Sequence, residues 1–213
     1  MDFTLTEEQI AIREAVEALM RDFPDEYWEQ KDADHEFPWD FYNAFAAAGF
    51  LGVTIPEEYG GAGLGLIEAM MALGPVSGSG AGLSGATPVH VGVFGMSPVV
   101  KFGSAEMKAK YLPALVKGDL HVCFGVTEPD AGTDTTSITT SAKRDGDHYV
   151  ITGRKVWTSK AEQSNKCLIL TRTTPLAECK RKTEGMTLFL ADMPPEKVTI
   201  RPIPKMGRNA VSS

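Results

Sequence analysis

The residues with the clearest chemical potential form one stretch, Cys123–Asp134, which reads Cys-Phe-Gly-Val-Thr-Glu-Pro-Asp-Ala-Gly-Thr-Asp. Small residues and a Pro-Asp-Ala-Gly turn let a backbone approach a ligand closely. The hydroxyls of Thr127 and Thr133 would add hydrogen-bond donors without adding charge. An ordinary strand-to-loop connection explains the glycines and Pro129 as well, although it does not require the two threonines. Taken alone, the stretch fits a binding loop and a plain turn equally.

A second element, Lys155–Ser159, reads Lys-Val-Trp-Thr-Ser. A tryptophan on a strand usually packs in the core, but an indole can also cover a flat ring system. We predict a strand over 154–158, and period-two alternation would then place Trp157 and Ser159 on one face. The Ser159 hydroxyl could donate to a ring nitrogen from that face. Together the two elements predict a site for a flat cofactor more specifically than either does alone.

Other chemically capable residues form weaker patterns. Glu128, Asp130 and Asp134 lie close together but have no histidine or metal-ligand pattern beside them, and no metal site is predicted. Gly60–Gly65 lacks the Gly-Lys-Ser/Thr end of a phosphate loop and follows no predicted strand, which favours a connection between helices. Lys180–Lys182 could meet phosphates of a nucleotide-like tail, yet a solvated loop is the better interpretation.

Composition excludes several classes of protein. The chain has 213 residues, of which 43% are hydrophobic and 23% charged, with a formal net charge of -7. An acidic globular chain is a poor partner for nucleic acid. Three widely spaced cysteines favour a reducing compartment. The first residues resemble no signal or transit peptide, and no apolar run reaches membrane-spanning length. We therefore expect a cytoplasmic protein without a membrane span.

The elements that must position these residues fall into two classes. Thr6–Gln9 is a capping box that begins a helix, Phe37–Asp40 begins another that Gly49 ends, and Ser104 caps a third. The segment 76–96 predicts a buried helix. Beyond His121 we expect short strands, with a hairpin turn at Asp145-Gly146; they are 137–143, 148–152, 154–158, 167–172, 186–191 and 198–203. The segment 174–185 is predicted to be a long loop.

These patterns predict an α+β protein with two domains. Residues 1–122 would form an all-helical domain, and residues 123–213 an antiparallel β-barrel-like domain. The sequence also resembles the acyl-CoA dehydrogenase family along essentially its whole length. The resemblance is carried by the opening capping box, Pro56–Gly61, 103–119, Val126–Asp134 and Ile151–Ser159.

The resemblance implies an FAD site and a role for individual residues. Phe124, Val126 and Thr127 would contact the flavin ring and its pyrimidine edge. Gly132 and Thr133 would approach the cofactor pyrophosphate, with Thr133 also near the acyl-CoA substrate. Trp157 would cover the ring face away from substrate, Thr158 would belong to the same segment, and Ser159 would bond at the flavin N5. Phe124 and Thr133 stand where many relatives have Tyr and Ser.

The chemistry implied by the resemblance is α,β-dehydrogenation of an acyl-CoA thioester. A carboxylate base would remove the α-proton while the β-hydride passes to flavin N5. Reduced flavin would pass electrons to an electron-transferring flavoprotein, and the full-length protein would be a homo-oligomer, a dimer or tetramer. The family's C-terminal four-helix bundle and its catalytic Glu are not among these residues, so no catalytic residue is assigned. An oxidase of the same fold, acting on acyl-CoA or nitroalkanes, and a non-catalytic interaction module remain alternatives.

Overall fold

The computed structural model describes residues 4–213, which fall into two compact units. The helical unit runs to His121 and also takes in Pro204–Ser212. The sheet unit comprises Val122–Ile203 together with Ser213. The domain limits expected from the sequence, 1–122 and 123–213, stay a prediction.

Seven α-helices are described in the helical unit. They are α1 Glu7–Met20, α2 Asp25–Asp34, α3 Trp39–Ala47, α4 Leu66–Gly78, α5 Gly82–Gly95, α6 Ser97–Phe102 and α7 Ala105–Val116. Short 3₁₀ turns at Phe50–Gly52 and Glu57–Tyr59 join α3 to α4. Within residues 4–213, no helix combines the length and the apolar character that crossing a membrane requires.

The helix starts confirm the predicted caps. The Thr6 hydroxyl accepts a hydrogen bond from the Gln9 amide at 3.2 Å, and the Gln9 side chain accepts one from the Thr6 amide at 3.1 Å. The Ser104 hydroxyl accepts from the Met107 amide at 3.2 Å and begins α7. Each contact pairs main-chain amides that the first helical turn leaves without partners.

The segment 76–96 is not one helix. It divides between α4 and α5 because Ser79 adopts an extended backbone. The Ser79 hydroxyl donates to the Val76 carbonyl at 2.9 Å and accepts from the Ala81 amide at 3.2 Å. A short polar side chain thereby offers the backbone partners that compete with the helix, a common way for serine to end one.

The glycine-rich run Gly60–Gly65 is confirmed as a connection, since it links the second 3₁₀ turn to α4. Gly61 is required by close packing, because an added Cβ would lie 2.1 Å from the Ile55 carbonyl oxygen. The run therefore serves the helical scaffold.

The core of the helical unit is aromatic and apolar. Phe41 and Tyr42 of α3 are fully buried. Phe41 packs edge-to-face against Phe23 and Trp28, with ring centroids 5.5 and 5.1 Å apart. Val16 of α1 joins the same cluster. Burying such side chains is the main source of folding free energy for a helical unit of this kind.

Five strands are described in the sheet unit. They are β1 Val122–Gly125, β2 Ser141–Asp145, β3 His148–Thr152, β4 Lys166–Arg172 and β5 Met186–Asp192. Strand β4 is central: it pairs with β5 on one edge and with β1 and the start of β2 on the other. The prediction of an α+β fold, helices first and sheet second, is confirmed.

The sheet itself corrects two expectations. It is mixed, because β1 and β2 run parallel to β4, while only the β2–β3 and β4–β5 pairs are antiparallel. It is also not closed, so "barrel-like" describes it loosely. The hairpin at Asp145-Gly146 is confirmed, and Gly146 takes the positive φ of 58° that this turn favours.

Three predicted strands differ from the structure. The segments 154–158 and 198–203 form no strand, and the strand expected over 137–143 begins only at Ser141, after a 3₁₀ turn at Thr135–Ser137. Residues rich in Val, Ile and Thr fit a half-buried extended surface, but only a neighbouring strand makes a sheet. The loop predicted over 174–185 is confirmed between β4 and β5.

Candidate functional site

The structure brings the two chemically promising elements of the sequence into direct contact. The Val156 amide donates to the Thr127 carbonyl at 2.9 Å. The Lys155 ammonium donates to the Val126 carbonyl, also at 2.9 Å, and to the Glu128 carboxylate at 2.9 Å. Residues 126–128 and 155–156 are therefore one local structure within the sheet unit.

Among residues 126–128 and 155–156, Glu128 makes the most side-chain hydrogen bonds. Its carboxylate accepts hydrogen bonds from the Thr139 amide at 2.7 Å, the Thr139 hydroxyl at 2.8 Å and the Thr140 amide at 2.9 Å, besides Lys155. Burial alone would raise the pKa of Glu128, but hydrogen bonds from threonine, Lys155 and two main-chain amides outweigh it and lower the pKa to about 2. The carboxylate is thus held ionised.

Glu128 and Lys155 form a buried ion pair, since their side chains are only 5% and 8% exposed. A buried pair gains little net stability over apolar packing, yet losing one partner is costly, because a buried charge is left behind. Its effect is therefore to fix geometry. This pair was not predicted from the sequence, where Glu128, Asp130 and Asp134 formed a group of acids without an assigned role. No spacing rule relates residues 128 and 155.

Strand β1 leads into residues 126–128 and carries Phe124 near its end. Val122 and Cys123 are buried, whereas Phe124 is 40% exposed. Gly125 follows, where an added Cβ would lie 3.2 Å from the Cys167 sulfur and 3.3 Å from the Lys155 side chain. The absence of a side chain at Gly125 therefore makes room for Lys155 to reach the loop.

A tight turn follows Glu128. The Glu128 amide donates to the Ala131 carbonyl at 3.1 Å, and the Ala131 amide returns a bond to Glu128 at 3.2 Å. Gly132 and Thr133 beyond it are exposed, and an added Cβ on Gly132 would meet nothing within 4 Å. Asp134 then caps the next turn through the Thr136 amide at 3.1 Å. Packing within the chain does not require glycine at 132.

The backbone conformation of Trp157 contradicts the prediction that Trp157 and Ser159 share one face of a strand. It has a positive φ of 59° in a stretch without strand structure, so period-two alternation does not apply to Trp157 and Ser159. A bulky residue in this left-handed region is uncommon and accompanies a sharp change in chain direction. The indole is 62% exposed. The Ser159 hydroxyl lies 3.2 Å from the Ser213 hydroxyl.

The residues near Trp157 fit a bound ring system. The Thr158 hydroxyl is buried, and the part of the chain that the structure describes offers it no hydrogen-bond partner. Buried hydroxyls are usually paired, so an unpaired one points to a ligand or water. Phe124 and Trp157 both expose aromatic surface, which a flat cofactor could cover. These three features would suit a flat ligand that also carries polar groups.

Arg172, at the end of β4, holds the surrounding loops. Its guanidinium is buried and donates to main-chain carbonyls of Ile138 at 3.2 Å, Glu184 at 3.0 Å and Lys182 at 2.8 Å, and also to Thr136. One side chain thereby anchors both the turn after Asp134 and the long loop before β5. Lys182 in that loop also lies 3.8 Å from Asp134. No local sequence pattern predicted that Arg172 would anchor these loops.

Two cysteines lie side by side on β1 and β4. Cys123 and Cys167 are directly paired residues of β1 and β4, and both are buried. A hydrogen bond from Cys167 lowers the pKa of the Cys123 thiol, and the same bond raises that of Cys167. Lys160 is 1% exposed, and burial lowers its pKa to about 7.

Both units match known family models. Residues 6–119 match the acyl-CoA dehydrogenase N-terminal domain, and residues 123–213 match the acyl-CoA dehydrogenase middle domain. The chain therefore belongs to the acyl-CoA dehydrogenase family.

Individual relatives agree with this assignment. The acyl-CoA dehydrogenase fadE12 of Mycobacterium tuberculosis is 35% identical over 80% of this chain and 44% of its own. The probable acyl-CoA dehydrogenase YngJ of Bacillus subtilis is 33% identical over 97% of this chain and 54% of its own. A glutaryl-coenzyme A dehydrogenase in complex with glutaryl-CoA superposes with a TM-score of 0.89 at 27% identity, covering 100% of this chain and 53% of that one. The chain spans about half the length of these relatives.

Proposed function

We propose that this chain supplies the helical and middle domains of an FAD-dependent acyl-CoA dehydrogenase. The reaction is removal of one hydrogen from each of the α and β carbons of an acyl-CoA thioester, in fatty-acid or lipid metabolism. The observation that supports this most directly is the contact between residues 126–128 and 155–156. It unites the two segments whose resemblance to the family is strongest.

The residues that would hold FAD are those of the two segments: Phe124, Val126, Thr127, Gly132, Thr133, Trp157, Thr158 and Ser159. When bound, FAD would take up the two electrons removed from the acyl chain. Phe124 and Trp157 offer aromatic surface, and Thr158 offers a buried hydroxyl that needs a partner. Thr133 would also contact the acyl-CoA substrate.

We assign no catalytic base among residues 1–213. Glu128 and Asp134 each adjoin a proposed site residue in sequence. The Glu128 carboxylate is ion-paired and has a pKa of about 2, and hydrogen bonds from Thr136 and Ser137 lower the pKa of Asp134. A general base works best when its pKa lies near the working pH. The role of this chain is therefore to bind and orient, and we expect residues 1–213 alone not to dehydrogenate an acyl-CoA.

The partners of the whole protein follow from the family assignment. We propose an acyl-CoA as substrate, an electron-transferring flavoprotein as electron acceptor, and assembly into a homo-oligomer. Neither a nucleic acid nor a metal is proposed.

The test of this proposal is a titration of the chain with FAD, in which flavin fluorescence reports binding. We expect saturable binding that is tighter for FAD than for riboflavin, because Gly132 and Thr133 would contact the pyrophosphate. Trp157→Ala should weaken binding, whereas Tyr149→Ala, which removes another half-exposed aromatic side chain of the sheet unit, should not. A folded chain that binds no FAD would overturn the proposal and favour a non-catalytic interaction module.

A second experiment addresses the chemistry. The FAD-loaded chain is mixed without oxygen with acyl-CoAs of differing length, and the flavin absorbance is followed. We expect no bleaching, because no base is assigned here. Bleaching together with an enoyl-CoA product would show that a base resides within these residues. In the full-length protein, rapid reoxidation of reduced flavin by air would favour an oxidase over a dehydrogenase.

A further inference from the structure

The pair Glu128–Lys155 determines which polar groups the segment Val126–Thr127 can offer to a ligand. The Val126 carbonyl accepts from the Lys155 ammonium, and the Thr127 carbonyl accepts from the Val156 amide. Both carbonyl oxygens are therefore engaged. Within residues 4–213, neither the amide nor the hydroxyl of Thr127 has a hydrogen-bond partner in the chain. The Thr127 amide and hydroxyl therefore remain available as donors, while each of the two carbonyl oxygens already has a donor from within the chain and is a weaker acceptor for a ligand.

A segment such as Val126–Thr127, which offers mainly hydrogen-bond donors, suits a ligand that carries many hydrogen-bond acceptors. Carbonyl oxygens and unprotonated ring nitrogens, which line much of the edge of an isoalloxazine ring, accept hydrogen bonds from amides and hydroxyls. A free peptide carbonyl at the same place would instead oppose them, since two acceptors facing each other without water are each left unsatisfied. Keeping the two carbonyls engaged thus favours flavin binding.

We propose that Lys155 is a positioning residue for the flavin, and that Glu128 holds it in place. This inference rests on the function proposed above. Lys155 removes the Val126 carbonyl from the ligand-facing edge, and Glu128 orients the ammonium through a 2.9 Å contact of its own. Glu128 is in turn fixed by Thr139 and the Thr140 amide. Gly125 leaves the room that the lysine side chain needs.

The two members of the pair have different effects on the ligand edge. Losing Lys155 leaves the Val126 carbonyl without this donor and leaves the buried Glu128 carboxylate without its ion-pair partner. Losing the Glu128 charge leaves the bond from Lys155 to the Val126 carbonyl in place. A purely structural ion pair would lose stability from either change and would leave the flavin environment unaltered once the protein is folded.

The experiment compares variants of the 213-residue chain by FAD titration and by the visible spectrum of bound flavin. We expect Lys155→Met to weaken FAD binding about tenfold or more and to shift the flavin absorption bands. The reason is that the Val126 carbonyl loses its bond from Lys155 and then faces the flavin as an unpaired acceptor. Glu128→Gln should weaken it by less. The matched control is Lys166→Met, which breaks an ion pair of the same sheet whose acid, Asp192, is mostly exposed; it should change neither quantity.

A double variant guards against simple unfolding. Glu128→Gln with Lys155→Met leaves no buried charge, so it should fold even where Lys155→Met does not. It still lacks the donor to Val126, so its FAD affinity should stay as low as that of Lys155→Met. Folding is checked by amide exchange of β4 and β5.

The outcomes separate this inference from the proposed function. If the unchanged chain binds no FAD, the proposed function fails. If the unchanged chain binds FAD and the folded double variant binds it with the same affinity and spectrum, Lys155 has no positioning role and the inference is overturned.

Discussion

The helical unit and the sheet unit of this protein bury different kinds of side chain in their interiors. The helical unit buries an aromatic cluster around Phe41, together with the Gln9 side chain and the Tyr42 hydroxyl. The sheet unit buries charged and hydroxyl side chains; they are Glu128, Thr140, Lys160, Thr171 and Arg172. The candidate site lies in the second kind of environment.

The difference follows from what each unit must satisfy. Helices pair their own main-chain groups, so their buried faces need only apolar packing. The sheet unit folds irregular loops against β4, and their carbonyls have no ladder partners. Buried polar groups cost free energy unless they are bonded. Arg172 and Lys155 supply those donors, which makes the site's geometry dependent on a few directional contacts.

The largest expected effect tests the apolar side of the comparison. Phe41→Ala removes a fully buried ring that contacts Phe23 and Trp28. We expect the free energy of unfolding of the helical unit to fall by about 3–5 kcal/mol, from lost transfer free energy and the cavity left behind. Urea denaturation followed by circular dichroism at 222 nm measures it.

The control for that change is Phe102→Ala. Phe102 lies on α6 and is 85% exposed, so its loss should alter the free energy of unfolding by less than about 0.5 kcal/mol. Equal losses from the two variants would mean that burial does not govern the stability of this unit.

The next effect tests the polar side. Arg172→Met keeps an unbranched apolar stem but removes the guanidinium, and with it the donors to the Ile138, Glu184 and Lys182 carbonyls. We expect a loss of about 2–4 kcal/mol, because some of these carbonyls stay buried without partners. Amide exchange should accelerate in residues 134–138 and 182–185 before it does elsewhere.

Arg144→Met is the matched control, since Arg144 makes its hydrogen bond to the Gly146 carbonyl at the surface. It should leave exchange in both loops unchanged. If Arg172→Met behaves the same way, those loops are held by something other than the guanidinium.

A third prediction uses pH to separate the units. The pKa of Glu128 falls from an ordinary 4.5 to about 2 on folding. The unfolded chain therefore takes up the proton first as pH falls, so the ion pair's contribution is complete above pH 4.5 and is lost between about 4.5 and 2. The loss is up to about 3 kcal/mol for this one group.

The measurement is urea denaturation across that pH range. Glu128→Gln with Lys155→Met should flatten the acid dependence of the sheet unit, whereas Phe41→Ala should lower stability without changing its slope with pH. A double variant whose slope matches the unchanged chain would show that other carboxylates dominate acid unfolding.

The sequence predicted the helical unit well for a physical reason. Its helix starts depend on contacts three residues apart, such as Thr6 with Gln9 and Ser104 with Met107. Contacts of this range can be recognised in a local pattern. The division of 76–96 was missed because the hydroxyl of Ser79 competes with the helix, and apolar composition does not reveal this.

The sheet unit was predicted less completely. The two segments of the site were found from residue type, but their contact joins residues 27 positions apart through Lys155 and Glu128. The predicted face shared by Trp157 and Ser159 was wrong because Trp157 leaves the extended region. Alternation can be predicted only where a strand exists, and tertiary contacts decide that here.

The smallest effect sharpens the comparison at the start of α1, where the helical unit uses polar contacts. Thr6→Ala removes the acceptor of the Gln9 amide and should cost about 1 kcal/mol, a usual value for a helix cap. Thr6→Ser keeps the hydroxyl and should restore most of that. Both variants are measured by urea denaturation at 222 nm. The cap pairs a hydroxyl with an amide, so the loss should be independent of pH, unlike that at Glu128.

A loss above about 3 kcal/mol would mean that the exposed cap supports buried structure as well. Gln9 could transmit that effect, because its side chain also donates to Glu68 of α4 at 2.8 Å. The helical unit would then depend on directional polar contacts too, and the contrast with the sheet unit would be one of degree.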